Sequence, residues 1–169
     1  MIKVAIIGKG KFGSKIENTI KDMVQFVNPN DADWVIIATP NDLHAEQVEK
    51  WLVKRKNVFC EKPLTLTERT AKKLFALADS TGVKLYVDDV FHWHNNLEIY
   101  KKVNSNFKFH KHGSFNANLI DNLAYHHFYL WTDIEDFEIK EMCNEYYNSY
   151  CMRIAITLED GRKGTFDYN

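Results

Sequence analysis

Cysteine is scarce and unpatterned in this chain: Cys60, Cys143 and Cys151 are the only three among 169 residues. An odd, widely spaced set with no C-x-x-C step excludes a disulfide framework and reads as reduced thiols in a cytoplasmic protein. Long apolar runs are also missing. No stretch approaches the roughly 20 apolar residues of a membrane span, so no membrane partner is expected. The first residues, Met1 to Ile7, enter a strand-like run with no cleavage site, which argues against a secretory signal. Nor is there an excess of positive charge. Lys and Arg number 22 against 23 Asp and Glu, giving a net charge of -1; nucleic acid is not an expected partner. Internal repeats are absent, and the one compositional bias is a mild excess of Asn.

What is present is apolar material, 45% of the residues, with 14% aromatic. That suffices for one core of ordinary size and leaves little room for two full domains. Ile2 to Ile7 is a continuous apolar run, as in a strand buried on both faces. Ile16, Ile20 and Met23 mark a helix over 14–23. "DWVIIAT" (33–39) predicts another buried strand, stopped by Pro40, and Asn41 or Asp42 is positioned to cap a helix reaching about Lys54. Val58 to Cys60 predicts a strand, 67–80 a helix capped by Thr67 and ended by Gly82, and Val83 to Val87 a further strand.

Strands alternating with helices predict an α/β, Rossmann-like parallel sheet. The pattern changes near residue 90. After a helix at about 95–103 the chain turns aromatic and His-rich. It then alternates like antiparallel strand over 137–142, 150–158 and 163–168, with Glu159-Asp160-Gly161-Arg162 as a hairpin turn. The expected organisation is a dinucleotide-binding domain over 1–90 and a truncated α+β substrate or dimerisation region over 91–169. An uncovered apolar sheet face in that region, rich in Tyr125 to Trp131 and Tyr146, Tyr147 and Tyr150, predicts a homo-oligomer.

Gly8-x-Gly10-x-x-Gly13 stands between the first strand and the first helix, where a dinucleotide fingerprint belongs. Glycines there permit a tight turn, close approach of a pyrophosphate and close helix packing, and the helix N-terminus faces the anion. Ser14-Lys15 after the last glycine excludes the usual Walker A loop. The adenosine end is shortened. Only Val24 to Ala32 separates the first helix from "DWVIIAT", too few residues for a strand followed by a helix. Either Val24 to Val27 is a short irregular strand or the chain passes directly to Trp34. Asn28 is the nearest polar residue for a ribose, and it is not an acid.

At the third strand, "NVFCEKPLTLTE" ends an apolar run on Glu61-Lys62-Pro63. Pro63 fixes φ and stops the strand, aiming the two charged side chains at the carboxyl end of the sheet, where ligands of open α/β sheets sit. Spacing alone leaves open whether Glu61 and Lys62 do chemistry or form a surface ion pair. The histidine pairs His92/His94 and His110/His112, with His126-His127, have no Cys or carboxylate at recognised metal spacing, so no metal is expected. The position of His44 suits capping or packing a helix start more than chemistry.

"GKGKFG", "ATPNDLHAEQV" and "KNVFCEKPLTLT", in that order, resemble the Gfo/Idh/MocA oxidoreductases, nicotinamide-dependent enzymes acting mostly on sugars, polyols and sugar nucleotides. The resemblance covers about residues 1–130. It implies that Gly8, Gly10, Lys11, Phe12 and Gly13 hold the pyrophosphate of NAD or NADP, and that Thr39, Pro40, Asn41 and His44 line the cofactor side of the cleft. Glu61 would orient the nicotinamide end. Lys62 would contact the reacting hydroxyl, with His126 opposite as proton-transfer partner. His94 and Asn122 would stand on the substrate side. The chain departs from the family pattern at Asn122, where members carry Asp, at Ala124, where they carry Gly, and at His94, where many carry Arg. It is also shorter than the usual member.

The expectation is therefore an NAD(P)-dependent oxidoreductase acting on a sugar or nucleotide sugar, with Lys62 and His126 moving the proton. Two others stand beside it: a non-redox enzyme or binding module for a phosphorylated or nucleotide-linked sugar, and a non-catalytic dimeric partner of a larger enzyme.

Overall fold

The computed structural model describes residues 1–88, 105–109, 139–147 and 152–168. The chain divides into two compact units, Met1–Asp89 and Val90–Asn169.

In the first unit, β1 (Ile2–Ile7), β2 (Val24–Phe26), β3 (Trp34–Ile37), β4 (Asn57–Glu61) and β5 (Leu85–Asp88) form one parallel sheet in the order β2-β1-β3-β4-β5. Parallel strands need crossovers, and α1 (Lys11–Ile20), α2 (Asn41–Val53) and α3 (Glu68–Thr81) supply three of them. Side chains alternate across a strand. Val35, Ile37, Val58, Cys60 and Leu85 therefore fall on the face that packs against Val48, Trp51 and Leu52 of α2 and Leu74 and Ala78 of α3. Leu52 is fully buried, worth about 1.5–3 kcal/mol relative to an exposed side chain. Trp34 and Tyr86 stack on the opposite face, ring centroids 5.8 Å apart.

The element ends have local causes. Thr67 caps α3, its hydroxyl accepting from the Thr70 N–H at 3.3 Å. Gly82 closes the helix at φ +72°, a left-handed conformation that costs glycine little. At α2 the expectation needs correction. Pro40 occupies the capping position with no side-chain cap, so Asn41 is already the first helical residue and Asp42 lies in the first turn. Proline suits that place because its missing N–H would find no helical partner.

The segment after α1 resolves into the first of the two expected alternatives. β2 is three residues long and pairs in parallel with β1 (Ile2 with Val24, Val4 with Phe26). The chain then reaches β3 through residues 27–33 with no helix. The Val27 N–H donates to the Val4 carbonyl at 3.0 Å and the Asp33 N–H to the Lys3 carbonyl at 2.9 Å, so β1 guides the crossing at both ends.

The described part of the second unit is a four-stranded sheet in the order β6-β9-β8-β7, formed by β6 (Ser105–Phe109), β7 (Ile139–Tyr147), β8 (Met152–Leu158) and β9 (Lys163–Tyr168). β7, β8 and β9 are antiparallel, as their alternation predicts. β6, which the sequence reading did not include, adds a parallel edge strand beside β9. The expected turn joins β8 to β9, with Gly161 at φ +87°. Met152, Ile154, Ile156 and Leu158 are buried on one face. On the other, the guanidinium of Arg153 takes Asp167 in a two-point contact, Nη2 to Oδ2 at 2.9 Å. Asp167 is buried and satisfied by that fork. The helix expected at 95–103 lies outside the described residues.

Candidate functional site

The parallel register lines up the carboxyl ends of the strands. Ile7, Ile37, Cys60 and Val87 form one cross-sheet row. The next position along each strand carries Gly8, Ala38, Glu61 and Asp88. Neighbouring strands lie about 4.8 Å apart, so Gly8 and Glu61 are separated by roughly two spacings, about 10 Å. Strand order reverses between β1 and β3, because β2 pairs on the far side of β1. That is the switch point at which open α/β sheets bind ligands.

The glycine turn separates what packing requires from what it does not. A Cβ on Gly8, whose φ is +102°, would lie 2.3 Å from the Ala38 carbonyl oxygen, and one on Gly13 would lie 1.8 Å from the Gly8 carbonyl oxygen. Both positions are closed by backbone. Gly10 differs: its φ of -75° suits any residue, and a Cβ there would meet no atom within 4 Å. The protein's own contacts give no reason for glycine at position 10, whereas a pyrophosphate resting on the backbone would. α1 begins at Lys11, so its first N–H groups open toward that space with the positive end of the helix dipole. Beside Gly8, the Thr39 Oγ1 is buried without a hydrogen-bond partner among the described residues. These features fit a dinucleotide phosphate. Phe12 is exposed next to the turn.

His44 is 1% exposed and joins two walls of the site. Its Nδ1 lies 2.7 Å from the Pro63 carbonyl oxygen and its Nε2 2.8 Å from the Thr39 carbonyl oxygen. The ring thus links the end of β3 to the turn after β4. It packs and positions from the first turn of α2, one of the two roles its sequence context allows.

At the end of β4, Glu61 faces Asp88 of β5 across the parallel pairing, so the two carboxyl groups stand side by side on neighbouring strands. Burial, then the negative charge of neighbouring Asp88, push the Glu61 carboxyl up to about 7, with Lys62 pulling the other way. Burial also raises Asp88. Lys62 is half-buried and precedes Pro63 through a cis peptide bond. Cys60 is fully buried, and burial, aided by Glu61, drives its thiol upward and leaves it inert.

Gly8, Gly10, Lys11, Phe12, Gly13, Thr39, Pro40, Asn41, His44, Glu61 and Lys62 thus all lie at or next to the carboxyl edge of one sheet. His126, His94 and Asn122 lie outside the described residues, as do the histidine pairs. Sequence reasoning missed Asp88, although the signal was available: Val87-Asp88-Asp89 ends a buried strand on charge just as Cys60-Glu61-Lys62 does. Among the described residues no group of His, Cys, Asp and Glu is placed to hold a metal ion, and no helix is long and apolar enough to cross a membrane.

Residues 14–89 match the sequence model of an oxidoreductase family with an NAD-binding Rossmann fold, Gfo/Idh/MocA. Inositol 2-dehydrogenase of Rhizobium meliloti is 37% identical over 57 residues, 34% of this chain and 17% of that protein. The chain spans about a fifth of the length of the curated relatives it matches. Among solved structures, UDP-N-acetylglucosamine 3-dehydrogenase GnnA from Acidithiobacillus ferrooxidans shares the fold with a TM-score of 0.87 at 16% identity, over 98% of this chain and 69% of that one. The WlbA dehydrogenase of Thermus thermophilus, solved with NAD and alpha-ketoglutarate, gives 0.81 at 18% identity, over 100% of this chain and 73% of that one. Within the N-terminal unit, residues 14–89 are thus similar to the NAD-binding Rossmann domain of the Gfo/Idh/MocA oxidoreductase family.

Proposed function

We propose that the protein is an NAD(P)-dependent oxidoreductase that moves hydride between the nicotinamide and a carbinol carbon of a sugar or nucleotide sugar. The observation that carries this reading is Gly10, an open position at a helix N-terminus for which packing gives no reason. Gly8, Lys11, Phe12 and Gly13 complete the phosphate turn, Thr39, Pro40, Asn41 and His44 form the neighbouring wall, and Glu61 stands toward the nicotinamide end. The bound cofactor would supply the hydride acceptor. As hydride leaves carbon, the hydroxyl proton must leave oxygen. Lys62 receives it, with His126 as partner, and returns it in the reverse direction; such acid–base help is worth about 10²–10⁴-fold. His94 and Asn122 contact the substrate. The reading includes a cytoplasmic, homo-oligomeric protein. It is supported by the unpaired Cys60 and Cys143, and by the exposed Ile139 and Met142 on β7 of the C-terminal sheet.

A second reading keeps the turn and drops the redox step, so that the ligand is a phosphorylated or nucleotide-linked sugar. The seven-residue connection after β2, with exposed Asn28 in place of a ribose-binding acid, favours it.

Titration with NADH and NADPH, followed by nicotinamide fluorescence, tests the first reading. Gly10→Val should cost no more than about 1 kcal/mol, the loss of a favourable N-cap residue at an otherwise open position, and weaken cofactor binding at least about tenfold. Wild-type protein that binds neither nucleotide but is thermally stabilised by a nucleotide sugar would overturn the first reading in favour of the second.

A further inference from the structure

We propose that Asp88 is a positioning residue of this site: it shares a single proton with Glu61, so that the pair presents one negative charge, not two, to Lys62. The proposal rests on the proton-transfer role read for Lys62 above and deepens it.

Glu61 and Asp88 are register partners on adjacent parallel strands, the last residue of β4 and the last of β5. Register partners on neighbouring parallel strands lie about 4.8 Å apart and direct their side chains to the same face of the sheet. Two like charges held that close and partly buried do not both ionise readily, so the pair keeps one proton. Of the described charged groups, Asp88 and Lys62 act on Glu61, and Glu61 and Lys62 act on Asp88. Behind them on β4 lies the buried thiol of Cys60, and His44 of α2 reaches the Pro63 carbonyl on the other side of Lys62. Both carboxyls are raised by burial first, and Lys62 opposes the rise in each.

The arrangement therefore has two charge states near neutrality. With the proton in place, the three groups sum to zero: a neutral carboxyl, a carboxylate and an ammonium. Once the proton leaves, two carboxylates face the amine and favour its ammonium form, which cannot accept a proton from a substrate hydroxyl. Asp88 thus sets the pH range in which Lys62 meets a weaker negative field.

Two measurements on the full chain test this. Selective carbonyl-13C labelling of glutamate follows the Glu61 side chain, assigned by loss of its signal in Glu61→Gln. It should titrate near 7 in wild type and fall by at least about one pH unit in Asp88→Asn, since the like charge is gone. A wild-type Glu61 titrating between 4 and 5, or one unmoved by Asp88→Asn, would overturn the proposal. The pH dependence of Lys62 modification by an amine-reactive reagent, read by mass spectrometry, gives the second measure. Asp88→Asn and Glu61→Gln each leave one carboxylate at all pH values above the ordinary carboxylate range. Each should therefore shift the Lys62 profile to lower pH by a similar amount, on the order of one unit. An unmoved Lys62 profile would overturn the positioning role even if Glu61 titrates high. Neither measurement requires bound nucleotide, so a failure of the cofactor reading shows itself separately, in the NADH titration.

Discussion

Replacing His44 with phenylalanine keeps a ring of similar size in the same buried slot and removes both nitrogens. What remains is the Pro63 carbonyl, in a buried contact, and the Thr39 carbonyl, in a partly buried one, each deprived of the ring nitrogen that met it. An unsatisfied buried polar group costs about 1–3 kcal/mol. The Pro63 oxygen should bear the larger share, because water can reach the Thr39 side more readily. A neutral ring carries one N–H and donates to only one of the two carbonyls, so the loss is about 1–3 kcal/mol, a drop on the order of 10 °C for a unit of this size. Two further variants divide the effect. Asparagine places an amide where Nδ1 lies and can restore the bond to Pro63, while glutamine reaches the Nε2 position and can restore the bond to Thr39. Urea unfolding followed by circular dichroism should rank the proteins wild type, His44→Asn, His44→Gln, His44→Phe in decreasing stability. A phenylalanine variant within about 0.5 kcal/mol of wild type would show that neither contact matters and that His44 only fills space.

The carboxyl pair also predicts how stability depends on pH. Glu61 has a folded pKa of about 7 against 4.5 for the free side chain. The folded state therefore holds more protons than the unfolded one in that window, and the associated stability is complete below 4.5 and lost as pH rises through 7. With the group partly exposed, the loss is on the order of 1 kcal/mol after allowance for solvent screening. Melting temperatures should fall across that range in wild type and fall less in Asp88→Asn; identical slopes would refute the assignment. The cysteines give a separate check: Cys143, exposed on β7, should react with a thiol reagent in the folded protein, whereas Cys60 should react only on unfolding.

The first unit was legible because its strands are buried on both faces and its helices carry explicit stop signals. "DWVIIAT" has few alternatives to a central parallel strand, and Thr67 and Gly82 bound α3 with side-chain and backbone chemistry of their own. What the sequence could not express was pairing across the sheet. Asp88 looks like any polar strand end until β5 is laid beside β4 and its carboxyl meets Glu61. His44 reads as a helix-start residue because its partners, the carbonyls of Thr39 and Pro63, come from backbone that any residue would supply. The edge strand β6 carries the alternation Phe107-Lys108-Phe109, but its partner β9 lies more than fifty residues further along the chain, and five residues of alternation specify little without that partner.

The short second β-α unit connects these observations. A full dinucleotide fold uses its second strand and the helix after it to build the adenosine end of the site, while the phosphate and nicotinamide ends depend on the turn after β1 and on the ends of the strands beyond it. This chain keeps β2 at three residues, enough to pair with β1 and preserve the reversal of strand order at β1 and β3. The helix is omitted, and residues 27–33 cross directly, held by backbone hydrogen bonds to Lys3 and Val4. The switch point is therefore present without that helix, because it follows from strand order alone. What the deletion removes is binding surface for adenosine. A nucleotide held here must draw its affinity mainly from the glycine turn, the N-terminus of α1 and the wall that His44 fixes. For that reason substitution at Gly10 is expected to weaken binding more than any change at Asn28.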